Sequence, residues 1–127
     1  MDCATALALV GRDDEARASA AEASALADRL PFPAGRASAD EALGVTADDP
    51  VAGAEKLREA NEQWRELQRS GEAARCLLLA AWKLREADPA EAQSLAAEGQ
   101  DELDRLGLGS TLAGPLQSAG IAGETAA

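Results

Sequence analysis

From residue 90 to 106 the apolar and small residues recur three and four positions apart, at Ala92, Leu95, Ala96, Gly99, Leu103 and Leu106. Glu98, Asp101, Glu102 and Asp104 fall on or beside the opposite side. This spacing predicts an amphipathic helix with one face against a core. The stretch 51–69 turns Ala54, Leu57, Ala60, Trp64 and Leu67 inward, and its outer side carries Glu55/Arg58, Glu62/Arg65 and Glu66/Arg69, each pair three apart. Such pairs stabilise a helix by about 0.2–0.5 kcal/mol each and read as a solvated face. Residues 72–87 differ, because Ala73, Ala74, Cys76, Leu77, Leu78, Leu79, Ala80, Ala81, Trp82 and Leu84 leave little of the circumference polar. A helix apolar nearly all round lies between neighbours, so this one is expected at the centre, with Leu77 and Trp82 among its core side chains.

Start and stop signals extend the pattern to six helices, near 2–10, 13–30, 35–44, 51–69, 72–87 and 90–106. In "ADPAEA" Asp88 is placed to cap a helix, Pro89 suits a first helical position, and Glu91 completes a capping-box-like arrangement. Asp49-Pro50 repeats the pair. In "GRDDEA" the chain is expected to turn on Gly11 and to cap the next helix with Asp13, and Gly71 and Gly107 stand where helices should stop.

The same ending occurs twice, as Asp28-Arg29-Leu30 and as Asp104-Arg105-Leu106. When Leu30, Leu67 and Leu106 are superposed, the intervals are 37 and 39 residues, within the range of two-helix repeats. Ala16, Gly53 and Ala92 then coincide near the start of each second helix, and Ala23, Ala60 and Gly99 near its middle. Small residues at matched depths let helix backbones approach closely, as the two arms of a helical hairpin require.

Composition supports the class. The chain has 127 residues, 46% of them apolar but only 2% aromatic, so Ala and Leu dominate and an all-α fold is expected. Gly-rich residues 108–127 read as a flexible tail beyond a helical domain at 1–107. A net charge of −11 repels phosphate backbones and anionic membrane surfaces, which excludes direct nucleic-acid binding by this chain. With no signal-peptide h-region and no apolar run long enough to span a bilayer, a soluble cytoplasmic protein is expected.

The chemistry of catalysis is thin. Cys3 and Cys76 lack a C-x-x-C spacing and the chain contains no His, so no metal or other cofactor is expected, and Cys76 reads as a small buried hydrophobe. The carboxylate clusters Asp13-Asp14-Glu15, Asp48-Asp49 and Asp101-Glu102 fall at helix starts or on outer faces, where caps, dipoles and solvation explain them. No catalytic residue is assigned, and the chain is not expected to be an enzyme.

The segments "LVGRDDEARASAAEASALADRL" and "AEKLREANEQWRELQRSGEAARCLLLAAWKLREADPAEAQSLAAEGQDELDRLGL" resemble the tetratricopeptide-like helical repeats that precede the DNA-binding domain of large bacterial LuxR-type, MalT-like ATP-dependent transcriptional regulators. Trp64-Arg65-Glu66-Leu67, Gly71-Glu72-Ala73-Ala74-Arg75 and Asp88-Pro89-Ala90-Glu91-Ala92 carry the likeness, which covers about residues 4–107. The resemblance implies antiparallel helical hairpins stacked as a short solenoid. No basic helix-turn-helix follows Gly107, and no G-x-x-x-x-G-K-[ST] phosphate loop is present. The large aromatic positions of the first helices are replaced by small residues such as Ala4 and Leu7.

The expected function is therefore a non-catalytic helical-repeat interaction or regulatory module, serving a protein partner or adjacent domains of a larger regulator. Peptide-carboxylate recognition in the wider repeat class points to Arg75, Lys83 and Arg85 as partner-binding candidates. The alternative is a small acidic α-helical protein that binds a small apolar ligand or inducer in its groove. Repeat ends need polar caps, and "CATALALV" is apolar, so Leu7, Leu9 and Val10 are candidates for self-association as a homodimer. Leu112, Leu116 and Ile121 of the tail are the competing cover for that face.

Overall fold

The computed structural model describes residues 3–107, and among them there are helices and no strand. The expected tail, with Leu112, Leu116 and Ile121, lies outside the described residues, as does the expected helix start at Asp2. The helices are α1 (Cys3–Leu9), α2 (Asp13–Arg29), α3 (Pro33–Thr46), α4 (Pro50–Glu66), α5 (Ser70–Leu84) and α6 (Pro89–Arg105).

Two starts follow the Asp-Pro signal. Asp49 accepts from the backbone N–H of Val51 at 3.1 Å, and Asp88 from that of Glu91 at 3.2 Å, with Pro50 and Pro89 opening α4 and α6. At α2 the structure corrects the expected cap. Asp13 is the first helical residue and Arg12 occupies the capping position, with no side-chain cap. The free N–H groups there meet negative charge instead, from Asp13, Asp14 and Glu15 in the first turn.

Gly11 (φ 84°) and Gly107 (φ 72°) take left-handed conformations as their positions demand. Gly71 does not: it lies inside the first turn of α5, and Gln68 (φ 59°) makes the left-handed turn that ends α4. Helix α3 begins earlier and ends later than the pattern indicated. Pro33 serves as its first residue, and the Thr46 hydroxyl donates to the Ala42 carbonyl at 2.8 Å within its last turn.

Each helix packs on its chain neighbours, and α1 with α3 and α3 with α5 are also in contact. Gly53 of α4 lies against Lys83 near the end of α5, and Asn61 donates to the Ala73 carbonyl near its start, so α4 and α5 run antiparallel. The same holds for α3 and α4, which meet where Gly44 faces Gly53. A Cβ on Gly53 would lie 2.6 Å from the Gly44 carbonyl oxygen, and one on Gly99 3.0 Å from Leu78 Cγ. Ala16, Gly53, Ala92, Ala60 and Gly99 are buried as the matched small positions require, while Ala23 is half-buried.

Helix α5 is the central element, burying nine residues from Ala73 to Leu84, among them Leu77, Leu78 and Leu79. Trp82 departs from that set. It sits in the last turn, where the covering helices end, and its ring is half-buried. The outer charges of α4 also pair differently from their sequence spacing. Arg58 reaches Glu91 and Arg65 reaches Glu98, both on α6, and Arg69 pairs with Glu72. Both α4 and α6 pack on α5, and the long Arg58 and Arg65 side chains span from α4 to carboxylates of α6.

Candidate functional site

Antiparallel packing gathers the ends of α1, α3 and α5 with the starts of α2 and α4 at one end of the molecule. They enclose an open cleft of about 490 Å³. Asp13, Ala16 and Arg17 of α2 line one side, Val45, Thr46, Ala47 and Pro50 another, and Trp82, Lys83, Arg85 and Glu86 the third.

Lys83 is the structural hinge-pin of this site. Its ammonium donates to the backbone carbonyls of Ala47 at 2.6 Å and Val45 at 3.2 Å, where α3 leaves acceptors without helical partners. Burial, and next the nearby Arg85, push the Lys83 pKa below the ordinary lysine value. Two cations approach the Trp82 ring: Arg85 Cζ is 4.8 Å and Lys83 Nζ 5.7 Å from its centroid. Arg85 also donates to the Trp82 carbonyl at 2.6 Å. Across the cleft Arg17 is held by Asp48 at 2.6 Å and Asp14 at 3.3 Å.

The result is a half-open concavity with an aromatic ring, three cations and the carboxylates of Asp13 and Glu86 on its walls. It can accept a polar chain segment, stacking an apolar or aromatic group on Trp82 and drawing a carboxylate toward Lys83 or Arg85. Among the described residues no group of three or more His, Cys, Asp or Glu is placed to hold a metal ion.

The three cationic candidates are separated. Lys83 and Arg85 share the cleft, whereas the Arg75 side chain is only 12% exposed and donates to Glu41, a fully buried carboxylate on α3. Of the self-association candidates, Leu7 and Leu9 pack partly buried against the core and Val10 is 72% exposed. Arg17 and Trp82 are the site residues that sequence reasoning missed. An aromatic ring flanked by cations, Trp82-Lys83 and Arg85, at the end of an otherwise apolar helix is the signal that would have found the second. Arg17 has no such signal, since only the fold brings it across from α5. No helix of the described residues is long and apolar enough to cross a membrane.

No protein-family model matches this chain, and no curated protein or solved structure is significantly similar to it.

Proposed function

We propose that the chain is a non-catalytic helical-repeat interaction module, of the tetratricopeptide-like kind found in MalT-like regulators, whose cleft at Trp82, Lys83 and Arg85 receives a segment of a protein partner or of an adjacent domain. The observation that carries this reading is the coincidence of sequence register and helix ends. Leu30, Leu67 and Leu106 are the C-caps of α2, α4 and α6, and the two Asp-Pro pairs open α4 and α6. Two further features support stacked hairpins. The pairs Arg58–Glu91 and Arg65–Glu98 join α4 to α6 at one constant offset, and the first helices α1, α3 and α5 contact in succession.

A binding role fits the cleft better than catalysis, because its three cations are engaged in structural contacts: Lys83 on carbonyls, Arg17 on Asp48, Arg85 on Trp82. The small-ligand alternative has the cleft's volume in its favour, which lies in the range of small-molecule sites. Charged walls count against an apolar occupant.

Selection of displayed random peptides on the folded chain, with counter-selection on a Trp82→Ala, Arg85→Ala variant, tests the proposal. Peptides that bind the chain and not the variant are expected. If no peptide survives while small apolar compounds raise the melting temperature, the ligand-binding alternative replaces it.

A further inference from the structure

The chain has two lysines, Lys56 and Lys83, and their amines stand in different chemistry. Lys56 Nζ faces the carboxylates of Asp40 at 3.6 Å and Glu59 at 3.4 Å. Lys83 is half-buried in the cleft wall, and its hydrogen-bond partners are neutral oxygens, the carbonyls of Val45 and Ala47. Its stem crosses α4 where Gly53 has no side chain, since a Cβ there would lie 2.8 Å from Lys83 Cε. The fold thus packs the methylenes of one primary amine and leaves its nitrogen at the wall of an open cleft. Burial weighs most against the ammonium, followed by Arg85 at the end of the same helix. Asp13 of α2 and Asp48 between α3 and α4 act in its favour, and Arg17 of α2 acts against it. On balance Lys83 releases its proton more readily than an ordinary lysine, so more of the amine carries a free lone pair at a given pH.

Arg85 supplies the other half of the arrangement. Its Nη1 donates to the Trp82 carbonyl, and Nε and Nη2 have no hydrogen-bond partner among the described residues. The guanidinium lines the same cleft as Lys83 and lies against the same Trp82 ring. A planar cation with free donors matches the oxygens of a phosphate.

We propose that Lys83 is an acylation site whose donor is a small acyl phosphate, held at its phosphate end by Arg85. The lone pair of the neutral Nζ attacks the acyl carbon, and the bond from that carbon to the phosphate oxygen breaks. Phosphate leaves with the electron pair and takes up the amine proton, so the products are an acylated Lys83 and inorganic phosphate, with nothing oxidised or reduced. An ammonium offers three hydrogens and the nitrogen of the resulting amide one. The carbonyls of Val45 and Ala47 then compete for that single hydrogen, and the modification loosens the end of α3 from α5. This goes beyond the peptide reading of the cleft and holds whether or not a peptide binds there.

The folded full chain is incubated with acetyl phosphate and, in parallel, with the neutral donor p-nitrophenyl acetate, and peptide mass mapping reads the two lysines separately. Acetyl phosphate should modify Lys83 severalfold faster than Lys56, and the preference should vanish when the chain is unfolded in urea. In Arg85→Gln the preference for Lys83 should shrink more with acetyl phosphate than with the neutral ester, which separates loss of the phosphate contact from the accompanying change in the Lys83 proton. Equal rates at the two lysines of the folded chain, faster reaction at Lys56, or a preference that survives unfolding overturns the acylation site. Equal losses with the two donors in Arg85→Gln overturn the role given to Arg85. None of these outcomes depends on the peptide selection, and failure of that selection leaves them unaffected.

Discussion

Arg75 of α5 donates to Glu41 of α3 at 2.9 Å in the interior of the molecule, where the Glu41 side chain has no exposed surface. The Cys76 thiol lies 3.2 Å from the same carboxylate oxygen and donates to it. A charge out of water is tolerated because its partners are fixed, and removing one leaves the other stranded. Glu41→Ala should therefore destabilise the fold by about 3–5 kcal/mol, whereas Glu41→Leu combined with Arg75→Met should recover most of that loss. Urea denaturation of the three chains decides it. A cost near zero for Glu41→Ala would mean that the pair does not hold α3 to α5.

Helix propensity alone predicts that Gly→Ala inside a helix stabilises by roughly 0.5–1 kcal/mol. At Gly53 the sign should reverse. The added methyl would meet the Gly44 carbonyl at 2.6 Å and Ala47 Cβ at 3.2 Å, so Gly53→Ala should cost about 1–3 kcal/mol as an overpacked contact between α3 and α4. Gly35→Ala is the control. Its methyl would touch only the exposed Phe32 ring at 3.1 Å, which can move aside, and thermal unfolding should show no loss.

Gln68 holds the left-handed conformation at the end of α4, which costs a residue with a Cβ roughly 1–2 kcal/mol. Gln68→Gly removes that strain at a smaller cost in unfolded-state entropy of about 0.4–1 kcal/mol. The variant should melt slightly higher than the parent. A lower melting temperature would show that the Gln68 side chain contributes more than its backbone strains.

The Lys83 ammonium loses its proton more readily in the folded chain than in the unfolded one, first because it is buried and then because Arg85 is near. Over the alkaline window between its lowered pKa and the ordinary lysine value, the unfolded state binds more protons, and stability from this group rises with pH. Stability curves of the wild type and Lys83→Met should therefore draw apart as pH climbs through that window, the wild type gaining. A wild type that loses ground to the variant there would mean that the ammonium is stabilised by the α3 carbonyls more than burial disfavours it.

The helix ends were legible where side-chain chemistry is local. Asp-Pro marks α4 and α6 because both the cap and the ring act within one turn. Gly71 misled for the same reason in reverse, since a glycine marks a helix end only when the backbone there needs positive φ, and Gln68 met that need three residues earlier. The central place of α5 followed from its apolar circumference, but Trp82 did not share it, because a period cannot tell where the neighbouring helices stop. The ion pairs were the least legible feature. Glu55/Arg58 and Glu62/Arg65 satisfy helix spacing, yet Arg58 and Arg65 reach 33 residues onward to α6, and Glu41 finds Arg75 34 residues away. Only the packed fold brings such partners together, and so of the three expected cations only Lys83 and Arg85 line the cleft, while Arg75 is turned to Glu41.

An amide-resolved titration of the labelled chain with a peptide selected on it tests the central claim most directly, because it reports where the partner segment sits. The account predicts shifts gathered at Arg17, Thr46, Ala47 and residues 82–86, with Trp82 fluorescence changing over the same concentration range and both responses lost in Arg85→Glu. Binding that leaves those residues unperturbed, or that persists unchanged in Arg85→Glu, would contradict it.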